Sequence, residues 1–256
     1  MKRKLIALTA AAAAASVIMS VNVSADTLVT KNGVNYRYSD SGEELGKYTG
    51  FMRTEETGEY FYSEDGTAAE GWRRIGKYDY YFGENGVMST GRVTINGAEY
   101  TFSSGGKLTV SPIADSNAFG RAVKAASREY DLYCGKYYDS ENGVYVIAAT
   151  DTAKMRDLLK KAAEIEPSIG TCRINVAEGK FTWSQLLNVQ EKCTRQKYAE
   201  IVSSEVDTKN NCVYINFAEG QKKSAVDKAK KYITEKLDGG KCAVFGYAST
   251  GGMIDD

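Results

Sequence analysis

Between residues 31 and 110, apolar and polar positions alternate in short runs, the period-two pattern of half-buried strands. The runs recur at a fixed interval. Tyr60-Phe61-Tyr62 is followed by Gly66, Tyr80-Tyr81-Phe82 by Gly86 and Tyr100-Thr101-Phe102 by Gly106, a step of 20 residues each time. A looser copy, Tyr36-Arg37-Tyr38 followed by Gly42, stands 24 residues earlier, and Gly50, Gly71 and Gly91 head the later copies. Each copy reads as a strand, a tight turn such as Asn96-Gly97 or Gly76-Lys77, an aromatic strand and a glycine turn, which together make a β-hairpin. One hairpin cannot bury an apolar face alone, so the period predicts an all-β solenoid of stacked hairpins. Alternation assigns Tyr60, Tyr62, Tyr80, Phe82, Tyr100 and Phe102 to its core, and Phe61, Tyr81 and Thr101 to the opposite face.

From Ser111-Pro112 onward the pattern changes to helical periodicity, which places a domain boundary near Val110 and divides the chain into residues 26–110 and 111–256. The stretch from Lys136 to Ile147 returns from Ser204 to Ile215, each copy a strand, a tight turn and a strand. Met155, Leu158, Leu159 and Ala162 mark an amphipathic helix after the first copy, and Val226, Ala229 and Ile233 mark one after the second. Short apolar strands follow, around Cys172 to Val176 and Cys242 to Tyr247, and helices near Asn117 to Tyr130 and Ser184 to Tyr198 precede the two copies. The expectation is multidomain: the hairpin solenoid, then a duplicated α+β domain in the order α-β-β-α-β twice.

The chain opens with Lys2, Arg3 and Lys4, continues through an apolar run from Leu5 to Val21 and reaches Val23-Ser24-Ala25, which reads as a signal peptide over residues 1–25. The run is short and alanine-rich for a membrane span. Export is therefore expected, and no membrane span after cleavage. Basic and acidic residues number 33 each, and removing the leader takes three of the basic ones, so no long-range field would gather nucleic acid. Neither an apolar tail nor a covalent sorting signal is legible at the C-terminus, which leaves non-covalent surface attachment.

With no histidine in the chain, Ser-His-Asp triads, Cys-His pairs and HExxH metal sites are excluded. Ser104-Gly105-Gly106-Lys107 matches an SxxK string, but it lies on a glycine turn of a hairpin rather than opening a helix. No phosphate loop, dinucleotide fingerprint or calcium loop is present, so no cofactor and no enzymatic activity are expected. Cys134, Cys172, Cys193, Cys212 and Cys242 form no CxxC pair; in an exported chain they allow at most two disulfides and leave one thiol, or they serve as buried apolar residues.

The copies resemble the cell-wall-binding repeats of secreted Gram-positive proteins, the family of choline-binding and glucan-binding modules, with Gly71-Trp72, Tyr80-Tyr81-Phe82 and Gly86 carrying the match. The resemblance implies a cell-wall or cell-surface location and aromatic cages between hairpins that hold a quaternary ammonium by cation–π attraction. The family's two tryptophan positions hold Phe51, Trp72 and Arg92 at the first place and Glu59, Asp79 and Glu99 at the second. What remains outward is Phe51, Phe61, Trp72 and Tyr81, an aromatic shelf suited to a sugar face, with a wall polymer or glycan as partner. The C-terminal half resembles, in element order alone, the tandem prodomains of α-lytic-type proteases, which implies an extracellular protein partner for residues 111–256. The alternatives are a tethered protease regulator and a structural spacer.

Overall fold

The computed structural model describes residues 27–39, 41–53 and 59–249; the expected signal peptide and the C-terminal residues lie outside them. The N-terminal part is a succession of antiparallel strands: β1 (Thr27–Lys31), β2 (Val34–Tyr38), β3 (Glu44–Lys47), β4 (Gly50–Arg53), β5 (Tyr60–Glu64), β6 (Thr67–Ala68), β7 (Gly71–Ile75), β8 (Tyr78–Phe82), β9 (Gly91–Ile95), β10 (Ala98–Phe102) and β11 (Leu108–Val110). They form small sheets in the orders β1-β2-β3, β4-β5-β6, β7-β8 and β9-β10-β11.

Main-chain bonds link one hairpin to the next. The Asn35 N–H donates to the Gly66 carbonyl (2.7 Å), Tyr48 to Asn35 (2.8 Å) and Gly66 to Tyr48 (2.9 Å). This stacking explains the glycine period. Gly66 has φ of +85°, and a Cβ there would stand 2.6 Å from the Val34 side chain; Gly86, one period later, has φ of +76° and Ala68 at 3.0 Å.

Beyond β11 the chain runs α1 (Ala118–Ala126), β12 (Tyr133–Asp139), β13 (Val144–Ala149), α2 (Thr152–Ile165) and β14 (Ile174–Glu178), then α3 (Trp183–Lys192), β15 (Ile201–Asp207), β16 (Cys212–Ala218), α4 (Lys223–Lys236) and β17 (Ala243–Ala248). The order α-β-β-α-β thus occurs twice. In each set the first two strands are antiparallel and the third, returning after a helix, is parallel to the second. Helix starts have local causes: Asp151 accepts from the Lys154 N–H at 3.0 Å, and Thr182 with Gln185 forms a capping box. Both antiparallel turns close alike, Asp139 Oδ2 accepting from Asn142 Nδ2 (2.8 Å) and Asp207 Oδ2 from Asn210 Nδ2 (2.7 Å).

One face of the first sheet packs Ile147, Ala149 and Ile174 against Ala122, Met155 and Leu159 of its helices; the second packs Val213, Ile215 and Phe217 against Leu186, Val226 and Ile233. Cys172 and Cys242, expected on strands, lie just before them: Cys172 is the extended residue that follows the 3-10 turn ahead of β14, and Cys242 ends the 3-10 turn ahead of β17. No helix among the described residues is long and apolar enough to cross a membrane.

Packing divides the chain into one unit reaching to Glu70 together with Tyr81–Ser89, and a second holding Gly71–Tyr80 and the chain from Thr90 onward. The compositional boundary near Val110 therefore falls inside the second unit. The cause is a set of close contacts from β7 and the β9–β10 hairpin to the first helical set. Asn175 Oδ1 accepts from the Trp72 N–H at 2.7 Å while its Nδ2 donates to the Trp72 carbonyl at 2.9 Å. The Tyr100 hydroxyl donates to the Gly170 carbonyl at 2.9 Å, and a Cβ at Gly170 would stand 2.0 Å from the Asn96 carbonyl oxygen.

Both tryptophans of the chain, Trp72 and Trp183, belong to the second unit, so indole fluorescence reads its unfolding. Asn175→Ala removes two hydrogen bonds and leaves the Trp72 main chain without those partners. We expect a loss of about 1–3 kcal/mol in urea unfolding followed by tryptophan emission.

Candidate functional site: the aromatic rings of the hairpins

The rings sort by strand parity. Tyr80, Phe82, Tyr100 and Phe102 are buried and Tyr62 is half-buried, in keeping with a core face. Tyr60, of the same parity, is an exception at 44% exposed. It lies at the first position of β5, opposite Arg53 at the end of β4, where the guanidinium stands 5.5 Å from its ring centre. On the other parity Phe61, Tyr81 and Thr101 are each half-buried.

Three of the four rings expected on an outward shelf belong to the first unit. Phe51 on β4 is half-buried and meets Tyr62 edge-on at 5.1 Å and 69°. Phe61 on β5 pairs in register with buried Met52, and its ring is close to Gly86. Tyr81 on β8 accepts the Ser89 N–H through its carbonyl at 2.8 Å.

Trp72 departs from the expectation. It belongs to the second unit and is 1% exposed, with Tyr100 edge-on at 4.8 Å, Phe102 at 5.9 Å and the Arg173 guanidinium 5.7 Å from its ring centre. A buried indole presents no face to a sugar. Its role is packing; Phe51, the register partner of Tyr62, also lies on the other face of its hairpin, so the shelf reduces to Phe61 and Tyr81.

Asp79, which precedes the Tyr80-Tyr81-Phe82 run, is committed to arginines, Arg74 Nε at 2.8 Å and Arg173 Nη1 at 2.5 Å. Burial pushes its carboxyl upward, but the hydrogen bonds and charges of Arg74 and Arg173 outweigh that and hold it below the ordinary 3.8. In the next copy the corresponding positions hold an ion pair, Arg92 to Glu99 at 3.4 Å. Sequence reading could not find Arg173, because it comes from a distant strand entry and no local motif marks it.

Several ring faces already hold the chain's own cations. Lys31 stands 4.8 Å from the Tyr38 ring centre and 5.6 Å from Tyr36, and Lys107 and Lys77 stand 4.1 and 5.4 Å from Tyr78. These are the positions a quaternary ammonium would take. Lys107 closes the Ser104–Lys107 turn, where its main-chain N–H donates to Ser103 Oγ at 3.1 Å.

The five cysteines are free thiols, four of them buried and Cys172 half-buried. Burial pushes the thiols of Cys134, Cys172 and Cys242 up to about 11, which keeps them protonated and weakly nucleophilic. Among the described residues no group of three or more Cys, Asp or Glu could hold a metal ion.

No family model and no curated protein matches the chain. Solved structures do show similarity. Choline-binding protein F of Streptococcus pneumoniae is 24% identical over 37% of this chain and 30% of its own, with a TM-score of 0.25. The multimodular pneumococcal cell wall endolysin of phage Cp-1, complexed with choline, is 20% identical over 34% and 25%, at 0.26. CbpJ of Streptococcus pneumoniae is 20% identical over 45% and 34%, also at 0.26. The chain spans about a third or less of the length of these structures.

Two outcomes follow from the site's geometry. Trp72→Ala should cost about 3–5 kcal/mol of stability, as for a buried large ring, whereas Tyr81→Ala should cost less than about 2 kcal/mol; urea unfolding separates the two. The folded Asp79 carboxyl lies below its unfolded value, so its contribution to stability is present above 3.8 and is lost as the pH falls through the folded value. The stability difference between the native chain and Asp79→Asn should therefore shrink on acidification from about pH 6 to about pH 3.

Proposed function

We propose that the protein is an exported, surface-held binding protein whose hairpin repeats grip a wall polymer or glycan without covalent attachment. The observation that supports this reading most directly is a pair of rings, Phe61 and Tyr81, 20 residues apart and half-buried in successive copies, while most rings of the other parity are sealed. Together they offer flat apolar surface to a sugar face, and contiguous exposed apolar surface is a mark of an interaction site. Export follows the leader read at residues 1–25, and residues 111–256 supply a second interaction surface.

A neutral sugar fits better than choline. The Tyr36, Tyr38, Tyr60, Tyr78 and Trp72 rings each hold a lysine or arginine within 4.1–5.7 Å, so a quaternary ammonium would have to displace a tethered cation. The positions at which the family places further rings carry Arg92, Asp79 and Glu99 in ion pairs.

The test uses the full mature chain and purified Gram-positive cell walls in a sedimentation assay. Phe61→Ala combined with Tyr81→Ala should release most of the protein into the supernatant without changing its unfolding midpoint by more than a few degrees. Free choline should leave the native chain bound, and soluble wall-sugar oligomers should compete. Retention of the double variant on the wall would favour the spacer reading, and elution by choline would replace the sugar with a cation as ligand.

A further inference from the structure

Loops at one end of the two C-terminal sheets flank an open, shallow cleft of about 740 Å³ that the hairpin rings do not use. Three loops build it: the segment from Gly179 to Phe181 after β14, the turn from Lys209 to Cys212 between β15 and β16, and the segment from Lys241 to Val244 at the start of β17. Each loop contributes one exposed lysine, Lys180, Lys209 and Lys241. Among the described residues none of the three forms an ion pair, and Glu178 is the single acid in the lining.

The lysine-bearing loops are anchored rather than loose. Asn211 sits in the left-handed region at φ of 51°, and its side-chain oxygen accepts the N–H groups of Lys180 (2.7 Å) and Phe181 (2.6 Å) while its Nδ2 donates to the Phe181 carbonyl (2.8 Å). Asn211 thus ties the Lys180 loop to the Lys209 turn. The chain before Lys241 is fixed by α3, with Asn188 Nδ2 donating to the Asp238 carbonyl at 3.0 Å and Gln185 Nε2 to the Asp238 carboxylate at 3.3 Å. Asp207 of the turn accepts from Asn210, and Asp207 and Asp139 both lie within electrostatic range of Lys209, so Lys180 and Lys241 are the less compensated of the three charges.

We propose that this cleft binds an oligoanion, a ligand whose anionic oxygens repeat along its length, with Lys180, Lys209 and Lys241 each neutralising one group. The formal charge of the whole chain is zero, whereas the cleft lining carries three lysines against Glu178, a local excess of positive charge. Three ammonium groups on three separate loops match successive charges better than a single one. An ammonium is a compact point charge without a planar fork, so phosphate and carboxylate satisfy it alike. Phe181 and Val244 give the cleft apolar wall for the carbon skeleton between charges. The inference is independent of the hairpin rings.

Isothermal titration of the full chain with sodium tripolyphosphate and, separately, with tetragalacturonate tests it. At least one should bind, with an affinity that falls steeply as salt is raised. Lys180→Gln and Lys241→Gln should each weaken binding roughly fivefold, and the two together more than tenfold, while Lys231→Gln on α4 leaves it unchanged. Binding of tripolyphosphate alone assigns a phosphate source, and binding of tetragalacturonate alone a uronate source. No heat with either probe, insensitivity to salt, or an equal loss with Lys231→Gln would overturn the proposal. The Phe61→Ala and Tyr81→Ala chain should bind the same probe normally, which separates failure here from failure of the wall-binding reading.

Discussion

The side-chain amide of Asn175, closing two hydrogen bonds on the main chain of Trp72, is the contact on which the second packing unit depends. An amide offers one donor side and one acceptor side, as a peptide does, so it satisfies a strand's polar groups without a neighbouring strand in register. Parallel pairing such as β13 with β14 is normally covered on both faces. Helices cover one face of the first sheet, and β7 reaches β14 through Asn175. Val144, Val146 and Ala148 of β13 are all buried, whereas Tyr214 and Val244 on the second sheet are 41% and 42% exposed. The two sets share an element order and differ in cover.

That contact also decides what the aromatic residues can do. An indole positioned by its own main chain against Asn175 packs with Tyr100 and Phe102, and Arg173 and Asp79 close the margin with an ion pair. Rings in this part of the chain are spent on cohesion. In the first unit the same hairpin geometry leaves Phe51, Phe61 and Tyr81 half-buried, so the degree of ring burial differs between copies of one repeat.

Local features were legible in the sequence because their causes are local. The period of 20 reflects glycines that must adopt positive φ beside another hairpin, as at Gly66 and Gly86, and such positions tolerate little else. Strand alternation assigned Tyr80, Phe82, Tyr100 and Phe102 inward, and paired Asp-x-x-Asn turns marked the hairpins β12–β13 and β15–β16. Tyr60 departs from its parity at the first position of β5, where its ring meets the Arg53 guanidinium. Trp72 read as an outward ring because its partners lie far away in the chain: Asn175 is 103 residues on, and nothing in either segment announces the other. The same long-range contacts move the packing boundary away from the change in composition, which records only where hairpin periodicity ends.

The approach of Gly170 to the main chain at Asn96 leaves no room for even a methyl group. Two backbones that touch so closely must have been shaped together, since a substitution on either side is felt by the other. The later hairpins are consequently not an exchangeable cassette. Gene fusion or recombination that joined a different repeat array at residue 110 would discard the lining of the neighbouring fold, whereas a crossover among the earlier copies would preserve it.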